Sequence, residues 1–138
     1  MKIYLPIEPP KGTAQQTKTA CRGGMPRRYD PPNVKEMKRI WTSSLIPHKP
    51  NEPLKGALSL EVLFAYPYRK ADAKKAGGRD MWKDTQPDCD NLVKGLSDIM
   101  EKLEFFTNDG QIASLTVGKI WAETPRVEIN LDELEPRG

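Results

Sequence analysis

The chain has 138 residues, of which 37% are apolar, and its 22 basic side chains outnumber its 19 acidic ones. This length suits a single domain over residues 1–138, and no apolar run approaches the roughly 20 residues that a membrane-spanning helix needs. The start of the chain lacks the apolar segment of a secretion signal, so we expect a cytoplasmic protein with no membrane partner.

The first predicted element is a short strand, which a basic segment follows. Ile3, Leu5 and Ile7 alternate along the chain, and a pair of prolines ends the pattern. Residues 9–30 are rich in glycine and proline and carry five basic side chains against one acidic side chain. We expect this segment to be a flexible loop that becomes ordered only on a ligand.

A helix and a strand are predicted next. From Asn33 the apolar residues follow the helical period, and Glu36, three residues later, completes a capping-box pattern. This helix should end near Ile46, before a proline. Apolar residues then alternate over residues 58–66, with further apolar side chains on the second face, which predicts a strand near the centre of the sheet.

A second basic segment follows this strand. Residues 69–84 carry six basic side chains against three acidic ones, and we expect a loop. Both basic segments suit a polyanion such as a nucleic-acid backbone, and ordinary solvated loops are the alternative. Trp82 lies among these charges, where it either stacks on an unpaired base or anchors the loop. The basic side chains expected to bind DNA are Lys70, Lys74, Lys75, Arg79 and Lys83.

An amphipathic helix is predicted after Pro87. Its apolar residues share one face up to Leu103, whereas Asn91, Lys94 and Asp98 form a polar stripe. The sequence therefore predicts an amphipathic helix with one buried face and one polar stripe, and Asp88 and Asp90 stand at its start.

A turn over residues 107–110 precedes two further strands, around 112–121 and 127–131. Trp41 and Trp121, on the first helix and the first of these strands, are expected in the core. The 13 prolines and 10 glycines disfavour a helical bundle. We therefore predict a mixed α/β (α+β) domain with long loops, in which a mixed sheet of about four strands carries two main helices.

Three aspartates are candidate metal-binding residues. Asp88 and Asp90 are two residues apart, so their side chains share one side of an extended approach to the helix, and Asp109 lies in the turn after it. If the fold brings the three together, they form an anionic oxygen site that suits Mg²⁺ or Mn²⁺. The structural alternative is that Asp90 is a helix N-cap and Asp109 part of an ordinary turn. Lys94 is either a phosphate-binding cation or an ion-pair partner of Asp90 or Asp98.

Two motifs carry a family resemblance. The sequence contains Asp88-Cys89-Asp90-Asn91-Leu92-Val93-Lys94 and, further on, Phe105-Phe106-Thr107-Asn108-Asp109-Gly110-Gln111-Ile112. They resemble the pattern of the RusA family of Holliday junction resolvases, in which D-x-D-N-x-x-K opens a helix and an aromatic stretch leads to an aspartate and a glutamine. The length of the chain suits the whole family domain, so the resemblance implies a RusA-like fold.

The resemblance also implies roles for individual residues. Asp88, Asp90 and Asp109 match the family's catalytic aspartates, which bind divalent metal. Lys94 matches the family's functional lysine, and Asn91 matches the asparagine of the motif, which we expect at the DNA. The implied cofactor is Mg²⁺, for which Mn²⁺ can substitute, and the implied assembly is a homodimer on a four-way DNA junction. The implied reaction is phosphodiester hydrolysis by paired symmetric cuts.

The chain departs from the family pattern near both motifs. The residues 85–87 are Thr-Gln-Pro where some members carry an arginine run, and Asn108 stands in the aspartate pair after the helix. The basic residues are displaced upstream, to Lys70 through Lys83. The expected DNA contacts therefore depend on that upstream segment.

Three other functions stay open from the sequence. A non-catalytic DNA-binding protein would use the basic segments while the aspartates only cap and turn. A nuclease of the restriction-enzyme type fits less well, because Lys94 lies four residues from Asp90 and not two. A small-molecule phosphohydrolase would have little use for two basic segments, and the sequence shows no glycine-rich phosphate loop.

Overall fold

A computed structural model of the chain describes residues 1–12, 18–22 and 25–136, with the backbone alone for 18–22 and 25–29. The strands in chain order are β1 (Lys2–Leu5), β2 (Lys18–Arg22), β3 (Met25–Tyr29), β4 (Leu58–Pro67), β5 (Met81–Trp82), β6 (Ile112–Ala122) and β7 (Arg126–Glu133). The helices are α1 (Pro32–Leu45), α2 (Lys70–Ala76) and α3 (Cys89–Lys102), and short 3₁₀ turns span Ile46–His48 and Asp109–Gln111.

Five strands form one mixed sheet in the order β1-β7-β4-β6-β5. The central strand β4 pairs parallel with β6 and antiparallel with β7, while β2 and β3 pair with each other in a separate hairpin. The predicted mixed α/β class and the central strand are confirmed. The sheet has five strands where about four were expected, because the two-residue β5 joins the end of β6.

Helices α1 and α3 pack against each other and against the sheet. Trp41 of α1 meets Phe64 of β4 edge to face, with the ring centroids 6.1 Å apart. Gly95 lets the two helices approach closely, because a Cβ atom there would lie 3.3 Å from the sulfur of Met37. These contacts fix the direction of α3 and therefore the place of its first residues.

The described helices are short. Helices α1 and α3 have 14 residues each, and α2 has seven. Within the part of the chain that the structure describes, no helix has both the length and the apolar composition that crossing a bilayer requires.

Helix α1 begins one residue earlier than its predicted capping box. Pro31 is the N-cap residue and Pro32 the first helical residue, so Asn33 already lies inside the helix. The capping-box prediction is wrong because proline, with its fixed φ and no N–H group, is well suited to the first helical position. The end of the helix at Leu45 agrees with the prediction.

Both basic segments contain regular structure, so the prediction of two long loops is wrong. Within residues 9–30 the backbone forms the hairpin β2–β3, and its charged side chains lie outside the described residues. Within residues 69–84 the chain forms α2, which ends at Gly77 in a left-handed conformation with φ 57°, and then β5. The alanines and lysines of α2 favour a helix as much as they favour a solvated surface.

Candidate active site at the start of helix α3

Asp88 and Asp90 lie where the chain passes from an extended into a helical conformation. Asp88 is the N-cap residue of α3, and its carboxylate accepts no capping hydrogen bond from the described residues. Asp90 lies in the first turn and accepts a hydrogen bond from the N–H of Asn91 at 3.0 Å. The N-cap is therefore Asp88, not Asp90. Both carboxylates are exposed near the positive end of the helix dipole, which favours negative charge.

Lys119 of β6 fixes the chain just before α3. Its Nζ atom donates to the carbonyl oxygen of Pro87 at 2.8 Å and to that of Thr85. Lys83 holds the same segment by donating to the hydroxyl of Thr85 at 2.6 Å. The Thr-Gln-Pro stretch that departs from the family pattern therefore ties the start of α3 to the sheet.

Lys94 lies one turn beyond Asp90 on the exposed side of α3. Its Nζ atom is 3.6 Å from Oδ1 of Asp98, so the structure shows the ion pair that the sequence allowed. The Lys94 side chain is 60% exposed and that of Asp98 is 38% exposed. Because such exposed pairs contribute little free energy, the ammonium group is free to turn toward a phosphate.

Asp109 begins a 3₁₀ turn that side chains hold closed. Asn108 caps the turn by accepting a hydrogen bond from the N–H of Gly110 at 2.7 Å. Gln111 accepts from the N–H of Asn108 at 3.0 Å and donates to the carbonyl oxygen of Leu54 at 3.2 Å. Asn108, which departs from the family's aspartate pair, therefore stabilises the turn by capping it. Asp109 consequently lies on a rigid turn.

This turn lies at the opposite end of α3 from Asp88 and Asp90. The N–H of Asp109 donates to Oε1 of Glu101 at 2.7 Å, and Glu101 belongs to the last turn of the helix. Asp90 and Glu101 are eleven residues apart, which is about 16 Å along a helix axis. Strand β6 also separates the two ends, because it starts directly after the Asp109 turn and runs about 23 Å over seven residues before Lys119 reaches Pro87.

The structure therefore brings Asp88 and Asp90 together but leaves Asp109 apart within one chain. Among the described residues, no group of three or more histidine, cysteine, aspartate or glutamate side chains is arranged to hold a metal ion. The pair alone still fits Mg²⁺, which is commonly held by one or two carboxylates, with water and substrate phosphates completing its shell. The donors are hard oxygen atoms, as that ion requires.

The predicted DNA-binding cations fall into different settings. Lys70, Lys74 and Lys75 are exposed on α2. Arg79 donates to the carbonyl oxygen of Ala76 at 3.0 Å and so closes the C-terminal end of that helix. Lys83 is buried, and Trp82 beside it is 79% exposed on the edge strand β5. The half-buried Asn91 lies next to the two acids.

Arg69, Lys119 and Trp121 lie near the acids and were not predicted as site residues, whereas Lys83 beside them was expected to bind DNA. Arg69 and Lys83 both lie over the Trp121 ring, at 4.9 Å and 4.0 Å from its centroid. Burial lowers the pKa of Lys83, and the positive charges of Lys119 and Arg69 lower it further. Trp121, expected in the core, is half-buried beside these cations. The alternation of Lys119 and Trp121 on one strand was the available signal, but it could not show which segment packs on them.

Comparison with known proteins identifies the family. Residues 6–132 match the family described as Endodeoxyribonuclease RusA. The crossover junction endodeoxyribonuclease rusA of Lactococcus phage r1t is 33% identical over 92 residues, which cover 67% of this chain and 68% of the phage protein. The Bacillus subtilis (strain 168) protein called Uncharacterized protein YqaN is 30% identical over 121 residues, 83% of this chain and 84% of that protein. The family match includes both ends of α3, and the chain belongs to the RusA endodeoxyribonuclease family.

Proposed function

We propose that this chain is a metal-dependent endodeoxyribonuclease that resolves four-way (Holliday) DNA junctions by paired symmetric hydrolysis of phosphodiester bonds. The observation that carries the proposal is the start of α3, where two exposed carboxylates stand one turn before an exposed lysine. Membership of the family and the name of the phage relative support junction DNA as the substrate.

The residues at the start of α3 divide the chemical work. Asp88 and Asp90 would hold Mg²⁺, or Mn²⁺ in its place. When bound, the ion supplies a water molecule of lowered pKa and neutralises charge on the leaving oxygen. Lys94 donates hydrogen bonds to the phosphoryl oxygens, on which negative charge grows during hydrolysis. The amide of Asn91 holds the strand by a hydrogen bond to its phosphate or sugar.

The distance between the two ends of α3 supports a homodimer. Asp109 lies at the far end of the helix from Asp88 and Asp90, so it can share their metal only when it comes from a second copy of the chain. Two copies related by a two-fold axis would then form two equal sites. A four-way junction has approximate two-fold symmetry, and two equal sites match its paired cuts.

Helix α2 supplies the surface that suits the DNA backbone. Lys70, Lys74 and Lys75 project from one short exposed helix, and like-charged side chains on such a surface attract phosphates. The exposed Trp82 follows in the chain, where its ring can stack on an unpaired base. These contacts would position the junction, while the start of α3 performs the reaction.

The proposal is tested by cleavage of a synthetic four-way junction beside a linear duplex of the same sequences, with Mg²⁺ or with EDTA. The wild-type protein should make paired symmetric nicks in the junction alone, and EDTA or Asp90→Asn should abolish them. Asp80→Asn is the matched control, because Asp80 is also exposed but directly precedes β5, where it lies 3.8 Å from the guanidinium group of Arg126. It should cut like the wild type.

Junction binding without cleavage under any divalent metal would contradict the proposal. That result would favour the non-catalytic DNA-binding protein, in which the acids at the start of α3 only stabilise the helix. Cleavage of linear duplex at an equal rate would instead contradict the junction specificity while leaving the nuclease chemistry intact.

A further inference from the structure

A cleft of about 680 Å³ lies beside the start of α3, between the ends of β4 and β6. Its walls include Tyr66 of β4 and Trp121 of β6, together with Pro87 and Asn91, which flank the two acids in the chain. The volume is in the range of pockets that hold small organic ligands. The cleft is therefore large enough for more than a single anion and adjoins the candidate active site.

Lys83 is buried in the wall of this cleft without a carboxylate partner. It is 7% exposed, and its ammonium group lies 4.0 Å from the centroid of the Trp121 ring and 5.1 Å from that of Tyr66. Its hydrogen bond goes to the neutral hydroxyl of Thr85, and it forms no ion pair with any described residue. Because buried lysines are usually paired, this one is suited to an anion that enters from outside.

The neighbouring charges reinforce this preference. Arg69 lies 4.9 Å from the centroid of the same Trp121 ring and also pairs with Asp72 at 2.7 Å. Lys119 adds a third positive charge nearby. The acidic side chain among the described walls is that of Glu8, which is exposed. The interior of the cleft is therefore positive, with Glu8 at its margin and the carboxylate of Asp84 partly offsetting the positive charges around Lys83.

Tyr66 provides a second and independent sign of a missing ligand. The residue is 6% exposed, and its hydroxyl has no hydrogen-bond partner among the described residues. Buried hydroxyl groups in proteins nearly always have such a partner, so an unpaired one in the wall of a cleft indicates a polar group that binds there. The aromatic wall, the buried ammonium group and the unpaired hydroxyl together determine which class of ligand the cleft can bind.

We propose that the cleft binds one unstacked nucleotide of the DNA strand, next to the phosphate that is cut. Lys83 and Arg69 bind its phosphate, the aromatic wall accommodates its base, and the Tyr66 hydroxyl hydrogen-bonds to the edge of that base. The inference rests on the proposed function, which supplies the strand. It adds a contact to a base edge, so the nuclease would favour certain nucleotides beside the cut.

A nucleotide explains the cleft better than a phosphate alone. Inorganic phosphate would satisfy Lys83 but would leave the aromatic wall and most of the volume without a use. Base stacking on aromatic side chains and phosphate binding by cations usually occur together at sites for single-stranded nucleic acid. Pro87 and Asn91 place this nucleotide directly beside Asp88 and Asp90, where the strand must pass.

The test uses the full chain in EDTA, without cleavage, and measures the binding of dAMP, dCMP, dGMP and dTMP against inorganic phosphate by calorimetry or NMR. At least one mononucleotide should bind ten-fold or more tightly than inorganic phosphate. Lys83→Met, which keeps the apolar stem, should weaken that binding at least ten-fold. Tyr66→Phe should weaken it about five-fold, as expected for one hydrogen bond, and should reduce the difference among bases.

Matched variants control for general effects. Tyr4→Phe removes a hydroxyl from an exposed tyrosine on β1, and Lys55→Met removes a charge before β4, so neither should change nucleotide binding. Equal binding of mononucleotide and inorganic phosphate would overturn the proposal in favour of a phosphate site. Binding that survives both Lys83→Met and Tyr66→Phe would overturn it by placing the nucleotide elsewhere.

The same measurements separate this inference from the proposed function. Asp90→Asn should still bind mononucleotides, because the residue does not line the cleft, although it should no longer cut a junction. If the protein bound mononucleotides but cut no junction, the proposed nucleotide site would stand and the proposed nuclease function would be overturned. If the protein cut junctions but bound no mononucleotide, the proposed nuclease function would stand and the proposed nucleotide site would be overturned.

Discussion

Aspartates that resemble the family's catalytic residues lie near both ends of helix α3, but the two ends are built differently. At the start of the helix Asp88 and Asp90 are exposed and have few hydrogen-bond partners among the described residues. At the far end Asp109 sits on a turn that the side chains of Asn108 and Gln111 hold closed. We call the start of α3, with Asp88 and Asp90, the open end, because its carboxylates are exposed and have few partners among the described residues. The turn at residues 108–111 is the closed end, because its polar groups are already hydrogen-bonded within the protein.

Under the proposed function, this difference matches two separate requirements of one metal site. A carboxylate that binds a metal and a phosphate needs free lone pairs, which the start of α3 supplies. A carboxylate that must reach a site on another chain needs a rigid support, because a small displacement would lose the contact. The tightly bonded turn under Asp109 provides such a support, in agreement with the proposed dimer.

The largest expected effect comes from removing acids at either end. Asp88→Asn combined with Asp90→Asn in one protein, or Asp109→Asn alone in another, should each lower junction cleavage about 1,000-fold, because a bound metal contributes several kcal/mol to the reaction. A mixture of the two proteins should recover cleavage, since a mixed dimer contains one site with all three acids. Gel analysis of the nicked junction measures this recovery.

The mixture also decides where the site is formed. One intact site per mixed dimer should nick a single strand and should not make the paired cut of the wild type. If all three acids acted within one chain, each chain of the mixture would lack part of its site and cleavage would not return. A mixture of Asp109→Asn with wild type serves as the control for chain exchange.

The next effect concerns the closed end. The Gln111 side chain accepts hydrogen bonds from two N–H groups and donates to two carbonyl oxygens, those of Thr107, Asn108, Leu54 and Gly56. Gln111→Leu should lower the free energy of unfolding by about 2 kcal/mol, and it should reduce cleavage because Asp109 loses its fixed place. Urea denaturation measures the first effect.

Gln111→Glu is the matched variant for this prediction. Its carboxylate still accepts the two hydrogen bonds, but its second oxygen would face the carbonyl oxygens of Leu54 and Gly56, so Gln111→Glu should also be less stable than the wild type. Equal stability of all three proteins would show that the hydrogen bonds of this turn do not hold Asp109 in place.

The sequence was sufficient for the open end of α3. An amphipathic helix is a local pattern, and the position of Asp88 and Asp90 at its start follows from where the period begins. The distance to Asp109 could not be predicted, because it depends on α3 running antiparallel to β6. That direction is set by the packing of α3 on α1 and the sheet, which no short segment encodes.

The same limit applies to the cleft. Lys83 was expected to bind DNA because it belongs to a basic segment, but the sequence could not show that it lies between Tyr66 and Trp121. Trp121 was expected in the core because it follows the apolar pattern of its strand. Both residues meet at the end of β6, and contacts between segments so far apart in the chain arise only in the folded sheet.

A smaller effect tests whether the open end carries polar groups without partners. Tyr66→Phe removes a hydroxyl that is buried and unpaired among the described residues, so the variant should be more stable than the wild type by about 1 kcal/mol in the absence of DNA. Thermal unfolding should show a rise of a few degrees. Tyr4→Phe, at a tyrosine that is 50% exposed, should leave the transition unchanged. A loss of stability in Tyr66→Phe would show that the hydroxyl has a partner in the protein.

The smallest expected effect separates the two roles of Lys94. Its pair with Asp98 is exposed, so Asp98→Asn should change the free energy of unfolding by less than about 0.5 kcal/mol. The variant should cut junctions at least as fast as the wild type, because the carboxylate of Asp98 no longer competes with the DNA phosphate for the ammonium group of Lys94. Lys94→Met should be equally stable but slower, since the charge on the phosphoryl oxygens is then unmatched. If Asp98→Asn slowed cleavage as much as Lys94→Met, the ion pair would be what positions Lys94, and the start of α3 would be less open than its exposed carboxylates indicate.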